Sequence, residues 1–196
     1  SNNIEYVINP FNKKLTESEL ESLISDFDVV VAGTEKITSK VMDAASNLKL
    51  ISRVGIGLDS VDLLAAKDRG IAVSYTPDAP APAVAELTIN MMLTLLRSVH
   101  ISNSRIHSGD WNRFFGRRLS EVVIGIIGVG RIGQRVLEHL TGFGNPKILV
   151  NDVLIKDNVT DKFDIEWTSK EELYKRADIV SLHLPLTSET KDMIRK

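Results

Sequence analysis

Three glycines in a short turn are the residues of this sequence best suited to bind a ligand. Gly128, Gly130 and Gly133 form a Gly-x-Gly-x-x-Gly pattern directly after the apolar run 122–127. In such a turn the first glycine permits unusual dihedrals, the second lets a pyrophosphate reach the backbone, and the third lets a helix pack closely on a strand. Helical apolar spacing follows, so free N–H groups at a helix start are expected to face phosphates.

An acid follows this turn at the spacing of a nucleotide site. Asp152 lies 24 residues after Gly128 and ends the apolar strand that includes 148–150. A carboxylate there accepts hydrogen bonds from both ribose hydroxyls and repels a 2′-phosphate, so the pattern predicts binding of NAD in preference to NADP. Arg131 would add a charge beside the phosphates. The alternative is a structural turn followed by a solvent-exposed acid.

The surrounding pattern predicts an α/β protein. Apolar runs alternate with helix-like stretches, which favours parallel sheets with helices on both faces. Thr16 and Glu19 form a capping box at the first helix. Three prolines in 76–82 mark a connection, and one long helix, apolar on most sides, is predicted from Ala83 to about His107. Strands are predicted at Val29–Val31, Leu50–Val54, Ile71–Tyr75, Val122–Ile127, Ile148–Asp152 and Ile179–Leu184, and further helices at about 39–45 and 61–69.

Composition excludes several classes of function. Of 196 residues, 43% are hydrophobic and 26% are charged, which is typical of a globular protein. The net charge of −2 gives no electrostatic case for nucleic acid. The absence of cysteine excludes disulfides and thiolate metal sites, and no metal site is predicted. No apolar run reaches the roughly 18 residues of a membrane span and no leader is visible, so we expect a cytoplasmic protein without membrane contact.

Beyond the glycine turn, the sequence resembles the D-isomer-specific 2-hydroxyacid dehydrogenases, in particular the phosphoglycerate dehydrogenase-like branch. Six separate motifs carry the likeness and occur in the family's order. They are 52–62, Tyr75-Thr76-Pro77, 83–88, Gly109-Asp110-Trp111, 126–133 and 177–187. The resemblance implies a flavodoxin-like substrate-binding (catalytic) unit at 1–82, followed by a Rossmann-type dinucleotide-binding unit at 83–196. Both units are expected to be incomplete. Residues 4–8 match the family's second strand, so its first strand is missing from the first unit. A dinucleotide-binding sheet normally has about six strands, and only three are predicted in 83–196.

The resemblance also implies roles for particular residues. The loop over the substrate is formed by Val54, Gly55, Ile56 and Gly57. In the family the backbone N–H groups matching Ile56 and Gly57 hold the substrate carboxylate, as clustered amides can; the alternative is an ordinary glycine-rich turn. Positions matching Arg131 and Ile132 contact the pyrophosphate, and Asp152 matches the ribose acid. The segment under the adenine and its ribose is matched by His183, Leu184 and Pro185, and Thr190 matches a position near the phosphates.

No catalytic residue is assigned. The family's proton-transferring histidine, its acidic partner and its substrate-gripping arginine lie downstream of the segment that matches 182–196. His183 is expected to line the cofactor, and His100, His107 and His139 are expected to be surface or packing residues. The 196-residue chain taken alone is therefore predicted to be inactive.

The leading hypothesis is an NAD-dependent oxidoreductase that acts on the CH–OH group of a D-2-hydroxy acid, with the particular acid left open. The family's helix matching 83–107 crosses between subunits, so a homodimer through that helix is expected. Two alternatives stay open: a non-catalytic NAD-binding or corepressor-like scaffold, and another user of the same fold such as a methyltransferase or an epimerase.

Overall fold

The computed structural model describes residues 4–194 and confirms the α/β class. The chain separates into two compact units, 1–79 and 80–196. The first unit alternates helices and strands: α1 Glu17–Ile24, β1 Val29–Ala32, α2 Ser39–Ala44, β2 Leu50–Arg53, α3 Leu63–Asp68 and β3 Ala72–Tyr75. The predicted capping box at Thr16 and Glu19 is present, and Gly70 follows α3 with φ +67°, where glycine is favoured.

One apolar core holds the first unit together. Its three strands are parallel in the order β1-β2-β3, and Val30, Ile51 and Val73 stand side by side in register. These side chains pack in one cluster with residues of α1, α2 and α3. Because side chains alternate across a strand, this shared cluster places all three helices on one face of the sheet, not on both as predicted.

Two further expectations for the first unit are wrong. The strand at 29–31 was expected to be buried, yet Val29 is 47% and Val31 71% exposed, because both point to the face without helices. The segment 4–8, which the resemblance matches to a strand, forms none, and its apolar side chains are exposed. A strand needs a hydrogen-bonded neighbour, and the described residues give this segment none.

The second unit is a four-stranded parallel sheet flanked by helices. Its elements are α4 Ala81–Leu96, α5 Val99–His107, a 3-10 turn Leu119–Glu121, β4 Val123–Ile127, α6 Arg131–Thr141, β5 Lys147–Asn151, α7 Asp157–Thr160, β6 Glu166–Trp167, α8 Lys170–Arg176 and β7 Ile179–Leu182. The strand order is β6-β5-β4-β7, which corresponds to 3-2-1-4 of the dinucleotide-binding sheet. Sequence reasoning missed β6, because two residues are too short to show a periodic pattern.

Both faces of this second sheet are covered. Ile124, Ile126 and Val150 pack with residues of α4 and α6, and Ile127 and Leu149 pack on the opposite face with α8. No helix among residues 4–194 is both long enough and apolar enough to cross a membrane.

The single helix predicted over 83–107 is two helices. Ser98 has φ +50° and separates α4 from α5, and a left-handed residue interrupts a right-handed helix. The first helix also begins at Ala81, two residues early, with Pro82 in its first turn. Proline is tolerated there because the first N–H groups of a helix need no intrahelical partner.

Candidate functional site

The candidate site lies at the carboxyl ends of the strands of the second sheet, where the order in which strands are added reverses. The chain builds β4, β5 and β6 to one side and then returns to place β7 on the other side of β4. Ligands of open α/β sheets bind beyond the carboxyl ends of the strands at such a switch point. The Gly128 N–H donates to the carbonyl of Asn151, and the His183 N–H donates to that of Ile127, both at 2.8 Å. The ends of β4, β5 and β7 are thereby tied together.

Two of the three glycines are required by the protein itself. Gly128 has φ +94°, and a β-carbon there would overlap the carbonyl oxygen of His183. A β-carbon at Gly133 would overlap the carbonyl oxygen of Gly128. The first position therefore needs an unusual dihedral, and the third lets the start of α6 lie against the turn.

Gly130 differs from its neighbours in having open space on its side-chain side. A β-carbon at this position would meet no described atom within 4 Å. Its backbone is extended, with φ −85° and ψ −153°, so the protein itself does not require glycine there. The space beside Gly130 is the cradle that a pyrophosphate close to the backbone would need, and the residues present fit that group.

The amino end of α6 faces this space. Its cap residue is Gly130, and no side chain caps the helix, so the first-turn N–H groups have no intrahelical acceptor. Ile132 packs against the core, whereas Arg131 is exposed. An uncapped helix start carries a partial positive charge and suits an anion.

Asp152 stands directly after β5 and is bonded to the turn. Its Oδ2 accepts the Val129 N–H at 2.8 Å, and its Oδ1 lies 3.5 Å from the Leu154 nitrogen. Burial opposes ionisation of this carboxyl, but the Val129 N–H and the Lys156 ammonium outweigh it and hold the pKa of Asp152 below its usual value. The acid is therefore ionised at neutral pH and only 13% of its side chain is exposed.

Lys156 is a member of this site that sequence reasoning missed. Its ammonium donates to the Val129 carbonyl at 2.7 Å and lies 3.3 Å from Oδ2 of Asp152. The available signal was the spacing of four residues between an acid and a lysine, but that spacing is common on protein surfaces.

The segment after β7 borders the glycine turn. His183 is partly buried, its Nε2 lies 2.9 Å from the Ser181 hydroxyl, and burial lowers the pKa of its imidazole. Leu184 is partly buried and Pro185 is exposed. The Thr190 hydroxyl donates to the Pro185 carbonyl at 2.6 Å, so it closes the loop that follows the strand.

The loop predicted to hold a substrate carboxylate lies in the first unit. Gly55 is fixed by a reciprocal pair of bonds: its N–H donates to the Thr76 hydroxyl at 2.8 Å, and the Thr76 N–H donates to its carbonyl at 3.1 Å. Within residues 4–194 the N–H groups of Ile56 and Gly57 have no protein acceptor. Val54 and Ile56 expose their side chains.

Arg53 supports this loop and was not anticipated from the sequence. Its guanidinium donates to the Val54 carbonyl, and a β-carbon on Gly55 would overlap it. Its buried Nε has no partner among the described residues. The φ of +149° favours glycine at position 55.

Comparison with known proteins agrees with this geometry. Residues 89–196 match the family described as D-isomer specific 2-hydroxyacid dehydrogenase, NAD binding domain. The chain belongs to the D-isomer specific 2-hydroxyacid dehydrogenase family. This match covers more than half of the chain and identifies NAD as the cofactor of the second unit.

Two curated relatives and one solved structure illustrate this membership. The chain is 40% identical to the D-3-phosphoglycerate dehydrogenase of Methanocaldococcus jannaschii over 92% of its length and 35% of that protein. It is 37% identical to the hydroxypyruvate reductase of Thermotoga maritima, over 94% of this chain and 60% of that one. The D-lactate dehydrogenase of Aquifex aeolicus, solved with NAD and lactic acid, superposes with a TM-score of 0.76 at 33% identity, covering 87% of this chain and 52% of that one.

The chain thus spans roughly a third to three fifths of the curated relatives it matches. In this family member the structure brings the glycine turn, Asp152 and the start of the His183 segment together at the carboxyl ends of β4, β5 and β7. Among the described residues no group of three or more histidine, aspartate or glutamate side chains is arranged to hold a metal.

Proposed function

We propose that this chain functions in an NAD-dependent oxidoreductase acting on the CH–OH group of a D-2-hydroxy acid, with its second unit binding the cofactor. The observation that carries the proposal is the open space at Gly130, which faces an uncapped helix start beside the anchored carboxylate of Asp152. When bound, NAD supplies the nicotinamide ring that accepts the hydride. The residues proposed to hold the pyrophosphate are Gly128, Gly130, Arg131, Ile132 and Gly133.

The remaining cofactor contacts follow from the same edge of the sheet. Asp152 is proposed to accept hydrogen bonds from the ribose hydroxyls, because it is ionised and fixed by the Val129 N–H. The segment of His183, Leu184 and Pro185 is proposed to line the adenosine, since it borders Gly128 directly. Thr190 is proposed to act near the phosphates through the loop that its hydroxyl closes.

The first unit, 1–82, is proposed to be the substrate-binding portion. The N–H groups of Ile56 and Gly57 lack protein acceptors, and the bonds between Gly55 and Thr76 fix the loop that presents them. Paired amides of this kind recognise an anion, which suits the carboxylate that all 2-hydroxy acids share. Backbone amides alone do not choose among such acids.

Calorimetric titration of the purified 196-residue chain with NAD tests the proposal. We expect binding that is weakened markedly by Asp152→Ala, whereas the exposed Asp161→Ala is a control with the same change of charge. An absence of binding at about 1 mM NAD, a weak affinity on the usual scale, would contradict the proposed function.

The 196-residue chain alone is proposed to bind NAD without turning over substrate. Oxidation of an alcohol needs a group that accepts its proton, and a histidine with a carboxylate partner is the usual choice. Among residues 4–194, no histidine contacts a carboxylate. His183 is further disfavoured because burial lowers its pKa.

We also propose a homodimer through the helices of 83–107. Leu87, Met91 and Leu95 recur every four residues on α4, and each is more than half exposed. The opposite face of α4 is buried in the core through Ala85, Ile89 and Met92. A helix that is apolar on its outer face as well is typical of a subunit interface.

A further inference from the structure

The ammonium of Lys156 is held against the glycine turn formed by residues 128–133. It donates to the Val129 carbonyl at 2.7 Å and approaches Oδ2 of Asp152 at 3.3 Å. Only 29% of this side chain is exposed, although lysines of the same unit such as Lys175 are far more exposed. Lys156 is therefore a fixed charge of the candidate site.

This placement changes the charge that the ribose would meet. Oδ2 of Asp152 already accepts the Val129 N–H and contacts the ammonium. An isolated carboxylate repels a 2′-phosphate, which is the physical basis for preferring NAD. The Lys156 ammonium lies 3.3 Å from Asp152, so its attraction for a 2′-phosphate offsets part of the repulsion from the carboxylate.

We infer that Lys156 is a specificity-determining residue of the ribose subsite: its ammonium offsets the charge of Asp152 and lets the site accept a 2′-phosphorylated dinucleotide. The inference rests on the proposed NAD site and adds a second acceptable ligand class to it. NAD remains the better ligand because Asp152 accepts hydrogen bonds from its ribose hydroxyls. The difference between the NAD and NADP affinities is smaller than it would be with Asp152 and no lysine at position 156.

A positioning role for Lys156 makes a different prediction. If the ammonium only fixed the loop after β5 to the turn, its removal would loosen Asp152 and weaken both dinucleotides alike. A role as an offsetting charge requires that the two affinities separate, because only NADP carries the additional phosphate. The ratio of the two affinities therefore distinguishes the roles.

The experiment is calorimetric titration of the 196-residue chain with NAD and, separately, with NADP. Lys156→Met and Lys156→Gln both remove the charge, whereas Lys156→Arg keeps it. Lys175→Met is a matched control, because the Lys175 ammonium also pairs with a carboxylate, that of Glu172 at 2.9 Å. We expect both neutral variants to lose about tenfold in NADP affinity and to keep NAD affinity within about threefold. The arginine variant and the control should keep the wild-type ratio, and added salt should reduce the effect.

Several outcomes would overturn the inference. Equal losses for both dinucleotides in the neutral variants would assign Lys156 a positioning role, and unchanged affinities for both would give it neither role. Wild-type protein that binds neither dinucleotide would refute the proposed function and this inference together. Wild-type protein that binds NAD while the neutral variants keep the ratio would refute the inference alone. Unfolding midpoints of the variants, measured alongside, confirm that the folded site is being compared.

Discussion

The carboxylate of Asp152 accepts a hydrogen bond from the backbone N–H of Val129 at 2.8 Å. Asp152, which follows β5, is thereby attached to the glycine turn, which follows β4. The bond holds Asp152, the proposed acceptor of the ribose hydroxyls, and the glycine turn in a fixed relation before any ligand arrives, which reduces the ordering cost of binding.

The first prediction concerns cofactor choice. We expect NAD to bind at least tenfold more tightly than NADP, a difference of about 1.4 kcal/mol, because the carboxylate suits ribose hydroxyls better than a phosphate. Asp152→Ala should narrow that gap, mainly by weakening NAD, as measured by titration with each dinucleotide. Asp161→Ala should leave the gap unchanged. Equal affinities in the wild type would remove Asp152 from the ribose site.

Two glycines of the same turn should respond oppositely to alanine. Gly130→Ala places a methyl group in open space, so stability should hold or rise slightly, by about 0.4–1 kcal/mol, while NAD affinity falls about tenfold. Gly133→Ala overlaps the Gly128 carbonyl and should destabilise the chain by about 1–3 kcal/mol. Denaturant unfolding and NAD titration measure both quantities. Undiminished NAD affinity in a folded Gly130→Ala variant would place the pyrophosphate elsewhere.

Stability should depend on the ionisation of Asp152 in acid. Its pKa is lower in the folded chain than its ordinary value of 3.8, so ionisation stabilises the fold. That contribution is complete above the unfolded value and is lost as the pH falls through the folded value. The difference in unfolding free energy between wild type and Asp152→Asn should therefore be constant from about pH 5 to 8 and shrink below about pH 4. If this difference in unfolding free energy grew as the pH fell below about 4, folding would raise the pKa of Asp152 and not lower it.

The glycine turn could be predicted from the sequence, whereas the contacts that Lys156 makes with it could not, and the reason is physical. The dihedral of Gly128 and the close packing at Gly133 follow from local spacing, since a strand, a tight turn and a helix leave few other solutions. The contacts of Lys156 depend on how the loop after Asp152 folds back, which no periodic pattern encodes. The break at Ser98 was missed likewise, because apolar spacing continues across it while one backbone dihedral changes sign.

Association should depend on the exposed apolar face of α4. Met91→Lys puts a charge among Leu87 and Leu95, and burying an unpaired charge in an interface is costly, so the proposed dimer should dissociate at micromolar concentration. Asn158→Lys adds the same charge on α7 and should leave the dimer intact. Sedimentation velocity measures both, with circular dichroism to confirm folding. A wild-type monomer at that concentration would contradict the proposed interface.

The last prediction is that the 196-residue polypeptide binds NAD but does not oxidise a 2-hydroxy acid. Positioning of reacting groups supplies roughly 7–11 kcal/mol of a barrier, and among residues 4–194 no histidine has the carboxylate partner that would make it a proton acceptor. The Nε2 atom of His183 lies 2.9 Å from the Ser181 hydroxyl, and burial lowers the pKa of its imidazole. NADH absorbance is followed with D-3-phosphoglycerate, D-lactate and D-glycerate, and NAD titration of the same sample confirms that the site is intact. Turnover that Asp152→Ala abolishes would show that the described residues include the proton acceptor, and His183→Asn would then show whether it is this histidine.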